Sequence, residues 1–144
     1  MMDATPEDSM TDPDRPARPD LRACALPYPL PSNRREQALL LMFRRMAIHG
    51  LHDAHASMVA LNQFGGGFLR TLHLMRAFLH GLARHASGRI QVGPGCAPRM
   101  TRHEALVVAA MSGGCPVALL ELSGPDGYAD LLTLAQALQS EVAA

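Results

Sequence analysis

From residue 32 onward, apolar residues recur at helical spacing, and each run is bounded by start and stop signals. Leu39, Met42, Phe43 and Met46 form the first stripe. Asn33, with Glu36 three residues later, gives it a capping-box-like start; Ser32 is an alternative cap, and Gly50 ends it. A second helix is expected from Asp53 to Gln63, with Ala54, Met58 and Leu61 inward, broken by Gly65-Gly66-Gly67. The clearest pattern runs from Phe68 to about Ala86. There Phe68, Leu72, Met75, Leu79 and Leu82 make one stripe, widened by Phe78. At about 100° per residue, Arg70, His73, Arg76, His80 and Arg84 gather on the opposite side, with no acid at i,i+4 to pair with them.

Ser87-Gly88 closes that helix, and Ile90 and Val92 suggest a short extended piece before the Gly93-Pro94-Gly95 turn. Thr101 and Glu104 form a Thr-x-x-Glu capping box, so a helix is expected from Arg102 to about Ser112, with Leu106, Val107, Ala110 and Met111 inward and Gly113-Gly114 as its stop. Pro116 fits the first position of a short helix through Leu122. After the Gly124-Pro125-Asp126-Gly127 turn, Asp126 is placed to cap a last helix from Tyr128 to Val142, with Leu131, Leu134, Ala135 and Leu138 inward. There is no internal repeat and no credible sheet. The expected fold is all-α: a compact bundle of five or six short helices in a single domain over residues 32–144. Residues 1–31 hold seven of the eleven prolines, with acids between them. They carry too little apolar surface to offset the entropy of ordering, so a disordered, acidic, Pro-rich tail is expected. Within it, Pro27 to Pro31 reads as a polyproline II stretch able to dock on the domain through Tyr28 and Leu30.

Composition changes this picture in two ways. Hydrophobic residues make up 48% of the chain but aromatics only 4%, with no Trp, so the core must be built from Leu, Met, Ala and Val. The formal net charge of zero hides segregation. Residues 1–33 carry six acids against Arg15, Arg18 and Arg22; residues 34–102 carry ten arginines against Glu36 and Asp53; residues 103–144 carry five acids and no arginine. Every positive charge is an arginine. The acidic ends can screen the basic middle, and residues 3–20 are in a position to act as an autoinhibitory strip over it. No run is apolar enough to span a bilayer, and no signal-peptide core is visible. Three cysteines without a CxxC spacing do not make a disulfide framework. A soluble cytoplasmic protein, without a membrane partner, is expected.

Candidate chemistry concentrates in the joint from Arg89 to Glu104, RIQVGPGCAPRMTRHE. The Thr101 helix start, flanked by Arg99 and Arg102, is a candidate site for a small anion. The cationic side of the third helix (Arg70, His73, Arg76, His80, Arg84) is a candidate surface for an anionic partner. Nucleic acid is disfavoured by the neutral pI, the lack of Lys and the lack of interleaved aromatics. Cys96 to Arg102 has the Cys-x5-Arg spacing of cysteine phosphatases. The loop glycines are absent, however, Pro98 removes a donor, and no parallel sheet can be built, so catalysis is not expected. Cys115 before Pro116 reads as a small core residue. His52 and His55 share one helical face, and with Cys96 as a third ligand they could hold Zn or Fe, or form a redox-sensing site. Otherwise no cofactor is expected.

The segments RRMAIHGLHDAH (Arg44 to His55) and IQVGPGCAPRMT followed by Glu104 resemble a group of small uncharacterised bacterial proteins defined as a domain of unknown function. The resemblance covers roughly residues 35–112 and carries no assigned activity. It implies that Arg44, Arg45, Asp53, His55, Cys96, Pro98, Arg99 and Thr101 belong together. The chain departs from the pattern in having a single cysteine, at 96, where the group has a cysteine-rich piece. The functional expectation is a non-enzymatic regulatory or adaptor protein that binds an anionic partner or small anion through its arginine-rich surface. The alternative is a metal-binding or redox-sensing protein using His52, His55 and Cys96.

Overall fold

The computed structural model describes residues 26–144, which form six α-helices. They are α1 (Arg34–His49), α2 (Ala54–Phe64), α3 (Phe68–His85), α4 (Arg102–Gly113), α5 (Pro116–Ser123) and α6 (Tyr128–Ala143). A 3-10 turn over Gly65–Gly67 links α2 to α3. The all-α bundle is therefore what the periodicity predicts. Most of the expected disordered tail, residues 1–25, lies outside the described residues, as does the expected autoinhibitory strip.

The helices start and stop where local chemistry dictates. Asn33 caps α1 by accepting from the N–H groups of Arg35 and Glu36, and Gly50, at φ 106°, ends it in a conformation that L side chains rarely adopt. Asp53 caps α2 through the N–H of Ala56. At α4 the Thr101–Glu104 capping box is complete in both directions. The last helix differs from expectation: its N-cap is Gly127 and no side chain caps it, so Asp126 does not serve there.

The chain folds as two helical groups. Helices α1, α2 and α3 pack on one another; α4, α5 and α6 do the same, and α3 against α6 joins the groups. One core runs through both, with Phe43, Met75, Phe78, Met111, Leu119 and Leu131 fully buried. Each such side chain contributes about 1.5–3 kcal/mol. The expected stripes of α1 and α3 lie in this core, whereas in α4 and α6 Leu106 and Leu134 are only half-buried.

One expectation about an inward face is corrected, and one short feature lies outside the helices. In α2, Ala56 and Ala60 are buried while Ala54, Met58 and Leu61 face outward. Small side chains at i,i+4 let α2 lie close to its neighbours, so packing distance rather than residue hydrophobicity chose the inward face. The sequence also showed no credible sheet. The structure nevertheless has a two-residue antiparallel ladder between β1 (Tyr28–Pro29) and β2 (Arg99–Met100), with Tyr28 opposite Met100. A ladder this short has no period to detect. It is held by the Arg99 side chain, which donates to the carbonyls of Leu26 (3.0 Å) and Pro27 (2.8 Å).

Candidate functional site

The joint between α3 and α4 is built around a buried ion pair. Arg44 sits on α1 and is 2% exposed; Glu104 lies in the first turn of α4 and is fully buried. Arg44 Nε donates to Glu104 Oε2, and Nη2 reaches Oε1 at 3.3 Å. The same guanidinium donates from Nη1 to the Ala97 carbonyl (3.0 Å) and from Nη2 to the Arg99 carbonyl (2.7 Å). Glu104 Oε1 also accepts the Thr101 N–H at 2.8 Å. Thr101 Oγ1 accepts the Glu104 N–H (3.1 Å) and donates to the Gln91 carbonyl (2.8 Å), and the Gln91 N–H donates to His103 Nδ1 (2.8 Å). Taking both charges out of water is tolerable only because each keeps further hydrogen bonds. Among the described residues, no buried side-chain nitrogen or oxygen lacks a partner.

Several of the groups that made the joint look like an anion site have partners within the protein. Thr101 and Glu104 cap the α4 N-terminus themselves. Arg99 spends its side chain on the carbonyls of Leu26 and Pro27, and Arg102 Nη2 pairs with Glu121 at 2.6 Å. Sequence reading identified Glu104 as a cap but missed that it is also the partner of Arg44. A signal was present: Arg44 lies one turn after Leu40 and beside Phe43, on the apolar side of α1, where an unpaired arginine could not stay buried.

The grouping implied by resemblance is largely visible. Arg44 binds the backbone of Ala97 and Arg99, a Cβ placed on Gly95 would stand 3.7 Å from Arg45 Cδ, and Arg45 forms two hydrogen bonds with the Asp53 carboxylate, each 3.1 Å. The hydrogen bonds from the Arg45 guanidinium hold the Asp53 carboxyl below its ordinary value against the opposing effect of desolvation, with smaller help from the Ala56 N–H and the nearby positive charge. His55 is exposed on the first turn of α2 and His52 is exposed in the preceding turn. Cys96 is exposed beside a small hollow lined by Leu40, Leu41, Arg44 and Pro98. Among the described residues, no three His, Cys, Asp or Glu side chains are grouped to hold a metal ion, so His52, His55 and Cys96 do not form a three-ligand set.

On α3 the cationic side is exposed at His73, His80 and Arg84. Arg70 pairs with Glu141 of α6 at 2.7 Å, and Arg76 Nε donates to the Leu51 carbonyl at 2.8 Å. The absence of an i,i+4 acid within α3 thus did not leave Arg70 unpaired; a neighbouring helix supplied the acid. Beside the C-terminal half of α3 opens a cleft of about 810 Å³. Ala47 of α1 and Ala83 of α3, with Leu51 and Ile90, form its accessible apolar floor; Phe43, Met46, Leu79 and Leu82 lie almost wholly buried beneath it, and Arg89 belongs to its lining. Arg89 is exposed, and no acidic residue lines the cleft. Sequence reading missed it because its walls come from two helices and a loop, each ordinary alone. No helix among the described residues is long and apolar enough to cross a membrane.

The chain belongs to a family of unknown function (DUF6628), whose model matches residues 20–144. No curated protein and no solved structure matches the chain.

Proposed function

We propose that this member of the DUF6628 family is a non-enzymatic regulatory or adaptor protein that holds an anionic group of its partner at the C-terminal end of α3. The observation that carries this reading is where the unengaged arginines lie. Arg44, Arg45, Arg70 and Arg102 are in ion pairs, and Arg35, Arg76 and Arg99 donate to backbone carbonyls. Among the described residues, Arg34, Arg84 and Arg89 do neither. Two of these three lie close in the chain: Arg84 in the last turn of α3 and Arg89 in the segment that follows the helix, with His80 one turn before Arg84. Arg84 is exposed there, and its positive charge offsets the negative end of the helix dipole. An anion there would gain charge-assisted hydrogen bonds from guanidinium groups that nothing else occupies. A binding role is further supported by the joint itself, whose charged groups are spent on holding a loop in place.

The test is a backbone and Arg Nε NMR titration of the full chain with inorganic pyrophosphate. Saturable shifts should centre on Arg84, Ala86 and Arg89 and vanish in the Arg84→Glu/Arg89→Glu variant. Shifts centred on Thr101 and Arg102 would return the site to the α4 N-terminus and overturn this placement. No saturable shift anywhere would remove the anion reading.

A further inference from the structure

We infer that the cleft beside Arg89 binds a medium-chain fatty carboxylate, its head group on Arg89 and its alkyl chain over the floor formed by α1 and α3. The inference rests on the proposed anion site and adds the body of the ligand to it. The cleft volume of about 810 Å³ is that of a small-molecule site, which runs roughly 300–1,000 Å³. Its lining is apolar apart from Arg89 and Gln91, and side chains as small as Ala47 and Ala83 keep its mouth open. Arg89, the one charged lining residue, has no ion-pair or hydrogen-bond partner among the described residues. With no acid in the wall, a cationic or zwitterionic amphipath would leave its positive group facing Arg89. A neutral one would leave Arg89 unused. One cation beside an apolar floor matches one anionic head on one alkyl chain, whereas an acidic helix would bring several carboxylates to a wall with a single counter-charge.

Isothermal titration calorimetry on the full chain tests this, using octanoate, decanoate and dodecanoate below their aggregation concentrations, with decanol and decylammonium as controls. One site per chain is expected, tightening by up to about fourfold per added methylene pair of hydrogens buried, that is per CH₂. Arg89→Glu should weaken decanoate about tenfold and leave decanol unchanged. Ala83→Trp, at an exposed position on the wall, should block both, and Ala47→Trp on α1 provides a second blocking variant if the first fails to fold. Equal binding of decanol or decylammonium would overturn the assignment. So would binding to anionic phospholipid vesicles with none of monomeric decanoate, which would point to a lipid surface instead. If pyrophosphate still shifts Arg84 and Arg89 while decanoate gives no heat, the inference fails and the proposed anion site stands; if neither ligand binds, both fall.

Discussion

Arg44 and Glu104, 60 residues apart in the chain, meet in the core and together fix the backbone at Ala97, Arg99 and Thr101. One salt bridge therefore ties α1 to the first turn of α4 and sets the path of the loop between α3 and α4.

Removing one partner should be severe. Arg44→Ala is expected to cost about 3–5 kcal/mol, because it leaves a buried carboxylate without its counter-charge and two backbone carbonyls without their donor. Arg44→Lys should rescue little, since one ammonium cannot reproduce the guanidinium's planar set of donors. Urea unfolding of the three proteins measures this; a Lys variant as stable as the parent would mean that charge alone, not the fork, holds the loop.

Gly127 sits against the His85 ring, where α6 begins beside the end of α3. A Cβ added there would collide with His85 Cβ and Cγ. Gly127→Ala is expected to cost about 1–3 kcal/mol by overpacking. Gly88→Ala, with open space around its Cβ and no positive φ, should lie within about 0.5 kcal/mol of the parent. Thermal melts of the pair separate a steric requirement from a general intolerance of substitution near this end of α3.

The Asp53 carboxyl titrates below its ordinary value of 3.8, chiefly because Arg45 hydrogen-bonds its charged form. A depressed carboxyl contributes stability that is fully present above the unfolded value and is lost as pH falls through the lower folded value. Asp53→Asn retains an N-capping side chain but gives up the ion pair. The variant should be less stable than the parent at neutral pH, and the two should converge in acid below the folded value. Parallel stability curves down to strong acid would show that the Arg45 contact contributes nothing.

His52 and His55 are exposed and do not group with Cys96 in a three-ligand set. His55→Ala should leave stability within about 0.5 kcal/mol of the parent. Elemental analysis of the purified full chain should find Zn and Fe well below one per chain. Near-stoichiometric metal that disappears in His55→Ala would restore the sensing reading.

The helices are legible along the chain because their signals are local. A 3.6-residue stripe such as Leu72, Met75, Leu79 and Leu82, a capping box at Thr101 and Glu104, and a stop at Gly50 each lie within one or two turns of chain. What those elements do to one another is set by packing across space. It turned α2 so that Ala56 and Ala60 face inward, because close helix approach favours small side chains over the larger Met58 and Leu61. It gave Arg70 of α3 an acid from α6, so that a surface that looks wholly cationic along α3 is partly neutralised, and it paired Arg102 of α4 with Glu121 of α5. It joined Arg44 to Glu104 and thereby tied the backbone of Ala97, Arg99 and Thr101 in the joint to the core. What stayed available, Arg84 at the end of α3 and Arg89 in the lining of the cleft, depends on which charges find partners across space, and no pattern along a single helix encodes that pairing.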